Sequence, residues 1–230
     1  MRLVAAGATV TGPAHRQDGL PNQDAMGVYG ARKGWCIAIG DGLGSRLLSH
    51  LGSAKAVQLV KQYVRQGCMC SAQALGLAVR DAWLEHYSDR YRYYETTCLW
   101  AHVDVSGRGR VGQAGDGLVL LRTRGVFQVV SGQRQGFGNQ TSTLAQADIG
   151  QWETLEFELH SPGDGVLLMT DGISDDLIPE QLELFFDAIY HRFTRTNKRR
   201  MRIWLARELL DWSTPRHGDD KSIAGIFKTD

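Results

Sequence analysis

The sequence predicts an α+β fold in which antiparallel sheets are covered by pairs of helices. Three observations carry this reading. Short runs of β-forming residues, separated by glycine-containing turns, fill the middle of the chain. Segments with helical spacing come two at a time, around 45–87 and 179–212, rather than one after each strand. The 230 residues, 43% of them hydrophobic, suffice for a sizeable core. A doubly wound parallel sheet would need one helix per strand, so the paired helices argue against it.

Taken in order, alternating residues after the N-terminus suggest a first strand, and "NQDA" at 22–25 stands just before a second. "GWCIAIG" reads as a buried strand ending at Asp41. From 45 to 65, Leu47, Leu48, Leu51, Ala54, Val57, Val60 and Val64 recur at helical spacing, with Ser45 placed to cap the helix. "SAQALGLAVRDAWLEHY" predicts a second helix with Ser71 as its N-cap. "TTCLWAHVDV", "GRVGQAG", "GLVLLRTRG" and "VFQVVS" then look like an antiparallel meander. "WETLEFELH" alternates, with Leu155, Phe157 and Leu159 on one face, and "GVLLMT" is a buried-type strand stopping at Asp171. "PEQLELFFDAIYHRF", opened by Pro179, and "MRIWLARELLDW" are the second helix pair. "KSIAGIF" is the last strand.

Charge and cysteines narrow the function class. The formal net charge is +1, so no global field draws in nucleic acid or an acidic membrane. No apolar run approaches the ~20 residues of a membrane helix, and the N-terminal apolar stretch is short for a signal peptide. Cys36 and Cys98 lie in apolar runs as buried thiols, while "CMC" at 68–70 has the wrong spacing for zinc. A reducing cytoplasm is the expected location.

Four acids share one placement. Asp24 precedes a strand, Asp41 follows one, Asp171 follows another and Asp219 precedes the last. Any one of them alone reads as a turn aspartate bonded to local amides. Together, at ends that one rim can gather, they would repel unless a divalent cation neutralised them. Oxygen ligands without His or Cys select Mg²⁺ or Mn²⁺ over zinc. The glycine after Asp41 lets a backbone carbonyl approach such an ion.

"NQDA", "GDGLGS", "AGDGLVLL", "LLMTDGISDDL" and "GDDKSIAGIF" occur in the order found in the protein phosphatase 2C family, the metal-dependent Ser/Thr phosphatases. The resemblance runs from about Gly12 to Phe227 and is closest to the bacterial branch. It implies a four-layer α-β-β-α sandwich, with two central antiparallel sheets flanked by helix pairs, and one catalytic domain over 1–230. It implies two Mn²⁺ or Mg²⁺ ions: Asp24 and Asp41, with the Gly42 carbonyl, at the metal pair, and Asp171 and Asp219 on the other metal. Asp116 and Asp175 match positions that bind a third ion beside Asp171. Asp116 reads equally well as a hairpin-turn aspartate, and Asp175 with Asp176 as the start of a helix. The implied reaction is hydrolysis of phosphoserine or phosphothreonine by metal-activated hydroxide, with no covalent enzyme intermediate. The implied partners are phosphorylated proteins and a Ser/Thr kinase that shares them, and the implied state is a monomer.

The chain departs from the family in several places. Gly19 stands where many relatives carry a phosphate-gripping arginine. Arg16 is the nearest substitute, against the reading of a solvated loop arginine. Leu43 replaces a histidine that protonates the leaving group in animal members; His15 and His217, beside the motifs, are the candidate substitutes, against the reading of ordinary loop histidines. Gln23 replaces the Glu of animal members, and Asp220 replaces a common Asn, where it either supports the ligands or repels and weakens the site. The segment expected to form the flap lies between 129 and 152. "HRFTRTNKRRMR" at 191–202 reads as a solvated helix face, with docking of an acidic or phosphorylated partner as the competing reading. These departures define the alternative function, a catalytically weak phosphatase-like binding or regulatory module. A haloacid dehalogenase-type reading fails because Leu43 and Ile173 stand where its second Asp belongs.

Overall fold

Alternation in the β-forming runs gives ten strands in a computed structural model that describes residues 2–31, 34–67, 71–132, 142–148, 150–212 and 218–230. They are β1 (Leu3–Val10), β2 (Asp24–Ala31), β3 (Gly34–Asp41), β4 (Cys98–Asp104), β5 (Arg108–Ala114), β6 (Leu118–Thr123), β7 (Val126–Val129), β8 (Glu153–Glu158), β9 (Gly165–Met169) and β10 (Lys221–Lys228). They form two five-stranded sheets, β1-β10-β9-β6-β7 and β2-β3-β4-β5-β8, in which neighbouring strands pair antiparallel. Six helices accompany them: α1 (Pro13–Asp18), α2 (Ser49–Gln66), α3 (Ala72–Tyr87), α4 (Asp171–Ser174), α5 (Leu182–Arg195) and α6 (Lys198–Leu210).

The period-two pattern assigns each residue its layer. Ile37, Ile39, Leu99, Ala101 and Val103 point between the sheets, where they meet Val166, Leu168, Ala224 and Ile226 of the other sheet. Their neighbours Cys36, Ala38, Cys98 and Trp100 face outward and pack under α2 and α3. On the far side, Leu167, Met169, Ile223 and Phe227 pack under α5 and α6. Three apolar clusters therefore separate four layers, α-β-β-α. Leu159 is fully buried between the sheets, and Leu155 and Phe157 pack beside it. Burial pushes the Cys36 and Cys98 thiols up to about 12, so both are inert core residues. No helix among the described residues is long and apolar enough to cross a membrane.

Four local features differ from the sequence reading. The helix expected from 45 begins at Ser49, its N-cap is Leu48 rather than Ser45, and Leu47 is 81% exposed. The chain at 43–48 is instead folded into turns, in which Leu43 N–H donates to the Glu95 carbonyl and Leu48 N–H to that of Tyr93. The expected meander breaks between β5 and β6, which belong to different sheets, so Asp116 lies on a crossover and not in a hairpin. Gly115 (φ 98°) and Gly117 (φ 111°) adopt the left-handed region there, which a β-branched residue would resist. Pro179 opens a short 3-10 turn ahead of α5, and Asp175 caps the end of α4 rather than starting a helix. The stretch at 12–19 expected to be loop contains α1, which closes on Gly19 in the left-handed region (φ 67°). Cys68, Cys70, His217 and residues 133–141 and 149 of the expected flap lie outside the described residues.

Candidate metal centre

Strand register brings the acids to one rim. Asp24, the first residue of β2, lies directly opposite Asp41, the last of β3. Met169 at the end of β9 pairs with Leu118 near the start of β6 and with Ile223 near the start of β10. Asp171, Asp116 and Asp219 follow or precede those residues by a few positions, so they project from the same end of the other sheet. Thr170 fastens the two sheets there: its hydroxyl donates to Asp24 Oδ2 (2.9 Å) and accepts from Ser222 N–H (3.0 Å).

The electrostatics show how near these groups stand. Burial holds the Asp24 carboxyl well above the usual range against the lowering effect of the Ser222 and Thr170 hydroxyls, and the charges of Asp220 and Asp171 add to the rise. Burial likewise raises Asp41 well above that range, reinforced by Asp24, Asp171 and Asp219. Asp171 is raised by burial and by the charges of Asp116, Asp219 and Asp175, while a hydrogen bond from Asp41 pulls it down. Two carboxyls hydrogen-bonded to each other must share a proton. Asp24 Oδ1 and Asp171 Oδ1 are buried with no hydrogen-bond partner among the described residues.

A divalent cation fits this donor set. It would give the two orphaned oxygens a partner and offset the burial and repulsion that raise the titration of Asp24, Asp41 and Asp171. The donors are hard oxygens. At Gly42 a Cβ would lie 2.7 Å from Ser49 Cβ, so this backbone packs where no side chain has room. Its N–H donates to the Gln23 carbonyl (3.1 Å), and Thr97 N–H (2.8 Å) and the Thr96 hydroxyl (2.8 Å) hold the Asp41 carbonyl.

Around the acids, the sequence singles out Asp220, His15 and Arg16, but not Lys221 or the Arg46–Glu95 pair. Asp220 is 2% exposed and saturated: Oδ1 accepts Gly12 N–H (2.7 Å), and Oδ2 accepts Gln23 N–H (2.5 Å) and pairs with His15 Nδ1 (2.9 Å). It thereby ties α1 to the residue before Asp24. His15 stands on α1 rather than in a loop, and His15, Asp219 and Asp220 have ligand atoms all within 4.8 Å of one another. Lys221, 1% exposed, donates from Nζ to the Asp219 carbonyl (3.0 Å) and brings a cation beside the acids. Arg46 is paired through Nε with the buried Glu95 (2.7 Å). Arg16 is exposed on α1. A lone "DD" in sequence shows nothing of backbone donors 197 and 208 positions away.

Comparison with known proteins agrees with this architecture. The chain matches the family model described as Protein phosphatase 2C over residues 11–210. The fold is similar to the catalytic domain of the serine threonine protein phosphatase PstP, solved in complex with 2 manganese ions (TM-score 0.65, 18% identity, 99% of each chain covered). It is also similar to the photosystem II phosphatase PBCP (TM-score 0.72, 13% identity, 99% of each chain). A third similar structure is PppA, a regulatory component of the type VI secretion system in Pseudomonas aeruginosa (TM-score 0.70, 16% identity, 99% of this chain and 98% of that one). No curated protein sequence matches the chain significantly. With the family model spanning most of its length and the acids drawn to one rim of a two-sheet sandwich, the chain belongs to the protein phosphatase 2C family.

Proposed function

We propose that this protein is a metal-dependent phosphatase that removes phosphate from phosphoserine or phosphothreonine in proteins, with residues 1–230 acting as one catalytic domain. The observation that carries the reading is the pair of orphaned buried oxygens, Asp24 Oδ1 and Asp171 Oδ1, on carboxyls whose titration burial and mutual repulsion raise. Asp24, Asp41 and the Gly42 carbonyl, with Asp171 and Asp219, are the proposed ligands of two Mn²⁺ or Mg²⁺ ions, and Asp116 and Asp175 those of a third beside Asp171. Bound there, such ions would make water nucleophilic near neutral pH and offset charge on the phosphoryl oxygens.

The chain's own residues do the rest. Thr170 orients Asp24 through its hydroxyl, and Asp220 fixes the backbone that carries Asp24. Arg46 is already paired with Glu95, and Arg16, exposed on α1, is the proposed cation for the substrate phosphate. The proposed setting is a monomer in the cytoplasm, acting on proteins that a Ser/Thr kinase phosphorylates. The test is hydrolysis of p-nitrophenyl phosphate and of a phosphothreonine peptide, with Mn²⁺ and with EDTA. Turnover of both that requires Mn²⁺ is expected; turnover that survives chelation contradicts the metal reading. Tight Mn²⁺ binding without turnover would favour the binding-module alternative, for which Leu43 in place of a histidine is the motivating residue.

A further inference from the structure

The helix pair on the sheet opposite α2 and α3 carries a feature that the phosphatase chemistry does not use. Between 188 and 207 the chain has no Asp or Glu but seven cations: Arg192, Arg195, Lys198, Arg199, Arg200, Arg202 and Arg207. All seven are exposed. Among the described residues none of them joins an ion pair, whereas Arg46, Arg80, Arg110, Arg122 and Arg124 all do. In a chain of net charge +1, this is a strong local concentration of one sign.

Two further facts separate the patch from an ordinary solvated helix. The first turn of α6 holds Lys198, Arg199 and Arg200 and no acid, which puts three cations at the positive end of the helix dipole, where acids are favoured. The fold gains nothing from that choice. Second, the outward face of α6 mixes charge with apolar surface. Met201, Leu205 and Leu209 are buried against the sheet, and the opposite stripe reads Arg199, Arg200, Ile203, Arg207 and Leu210, with Ile203 47% and Leu210 49% exposed. Arg192 stacks over Trp204 (5.0 Å) and Lys198 over Trp35 (4.6 Å), which holds the two edges of the patch in place.

We propose that this face, the end of α5 and the outer stripe of α6, docks an acidic segment of a partner protein in which carboxylates alternate with aliphatic side chains. Six of the seven cations are arginines, whose planar fork suits paired carboxylate recognition. Ile203 and Leu210 offer the apolar contacts that such a segment needs between its charges. A lipid surface fits less well, because both tryptophans of the patch are half-buried, Trp204 under Arg192 and Trp35 under Lys198. Trp35 opens β3 and Asp41 closes it, so the Lys198 edge lies about 20 Å along the strand from the acidic rim. Binding here is therefore separate from the metal centre.

The test uses the whole chain in EDTA, so that it reads neither metal nor phosphatase activity. Anisotropy of a fluorescein-labelled peptide of glutamates interrupted by leucines is titrated with wild type, with Arg199→Glu/Arg200→Glu/Arg207→Glu and with Arg199→Gln/Arg200→Gln. Binding should weaken about tenfold or more in the charge-reversed protein, less in the glutamine variant, and fall with added salt. Thermal unfolding controls for folding: acids at 199 and 200 suit the positive end of the α6 dipole while an acid at 207 opposes its other end, so the melting temperature should change little. Equal peptide binding by wild type and the charge-reversed protein overturns the proposal. So does binding to phosphatidylserine vesicles with none to the peptide, which would assign the patch to a membrane.

Discussion

Strand β9 has an aspartate just before its first residue and another two positions after its last, and the two are in opposite circumstances. Asp164 is completely buried, and its carboxylate accepts N–H groups from Arg124, Gly125, His160 and Ser161 at 2.8 to 3.0 Å. Asp171 keeps one buried oxygen without a partner and faces Asp116, Asp175 and Asp219. Asp164 closes two turns at one end of the sandwich. Asp171 adds charge to charge at the other. Residue type and distance from the strand do not separate them. The backbone donors do: where they saturate a buried carboxylate it is structural, and where an oxygen is left over the site is shaped for something else.

The sharpest way to break this contrast is to neutralise each acid. Asp171→Asn should lower kcat/KM by about 10³-fold or more while leaving the metal-free protein folded and at least as heat-stable, because it removes a repelled charge. A variant of near-normal activity would contradict the assignment. Asp164→Ala should do the reverse. Four backbone donors lose the acceptor that closes two turns, at about 1–3 kcal/mol for each one that water does not reach. Thermal unfolding should show a drop of about 10 °C or more, or no soluble protein, with any folded fraction still binding Mn²⁺.

Titration sharpens the comparison further. The carboxyls of Asp24, Asp41 and Asp171 titrate above their unfolded value of 3.8. The folded state then binds more protons than the unfolded one, so this contribution is full below that value and is lost as pH rises through the raised values. Metal-free wild type should lose more stability than Asp171→Asn does as pH rises above 3.8, a gap of about 1 kcal/mol or more for each unit of upward shift. Reading the difference cancels His102, whose burial lowers its own titration in both proteins. Mn²⁺ should close the gap, and its stabilising effect should be larger at pH 7, where fewer protons compete.

Smaller effects test the residues around the rim. Asp220→Asn leaves one acceptor for the donors that now bond to two oxygens, and frees His15. Mn²⁺ affinity by calorimetry should fall about tenfold, as for other groups that orient ligands. Unchanged affinity would make Asp220 a fold residue alone. Arg16→Ala should raise KM for p-nitrophenyl phosphate by about threefold to tenfold with little change in kcat. An unchanged KM would remove Arg16 from the substrate site.

The strands were readable because alternation records two environments at once: Ile37 and Ile39 inward, Cys36 and Ala38 under the helices. Ser71 was readable as a cap because its side chain answers a local donor, Ala74 N–H at 3.1 Å. Apolar run-ups mark where β3 and β9 stop, at or just before Asp41 and Asp171, and strand-forming runs begin at or just after Asp24 and Asp219. The misses share a different cause. The six residues of α1 are too short to show a period, and the late start of α2 is set by carbonyls of Tyr93 and Glu95, far along the chain. The crossing at Gly115–Gly117 looks like any hairpin until the partner strands are known. Asp220 resembles one more repelling charge until its backbone donors fold onto it.

The central claim is that Asp24, Asp41, Asp171 and Asp219 gather to hold divalent ions. Anomalous diffraction from crystals grown with Mn²⁺ tests it most directly. The account predicts manganese peaks bounded by those four side chains and the Gly42 carbonyl. Crystals with no peak there, or with a peak held only by His15, Asp219 and Asp220, would contradict it.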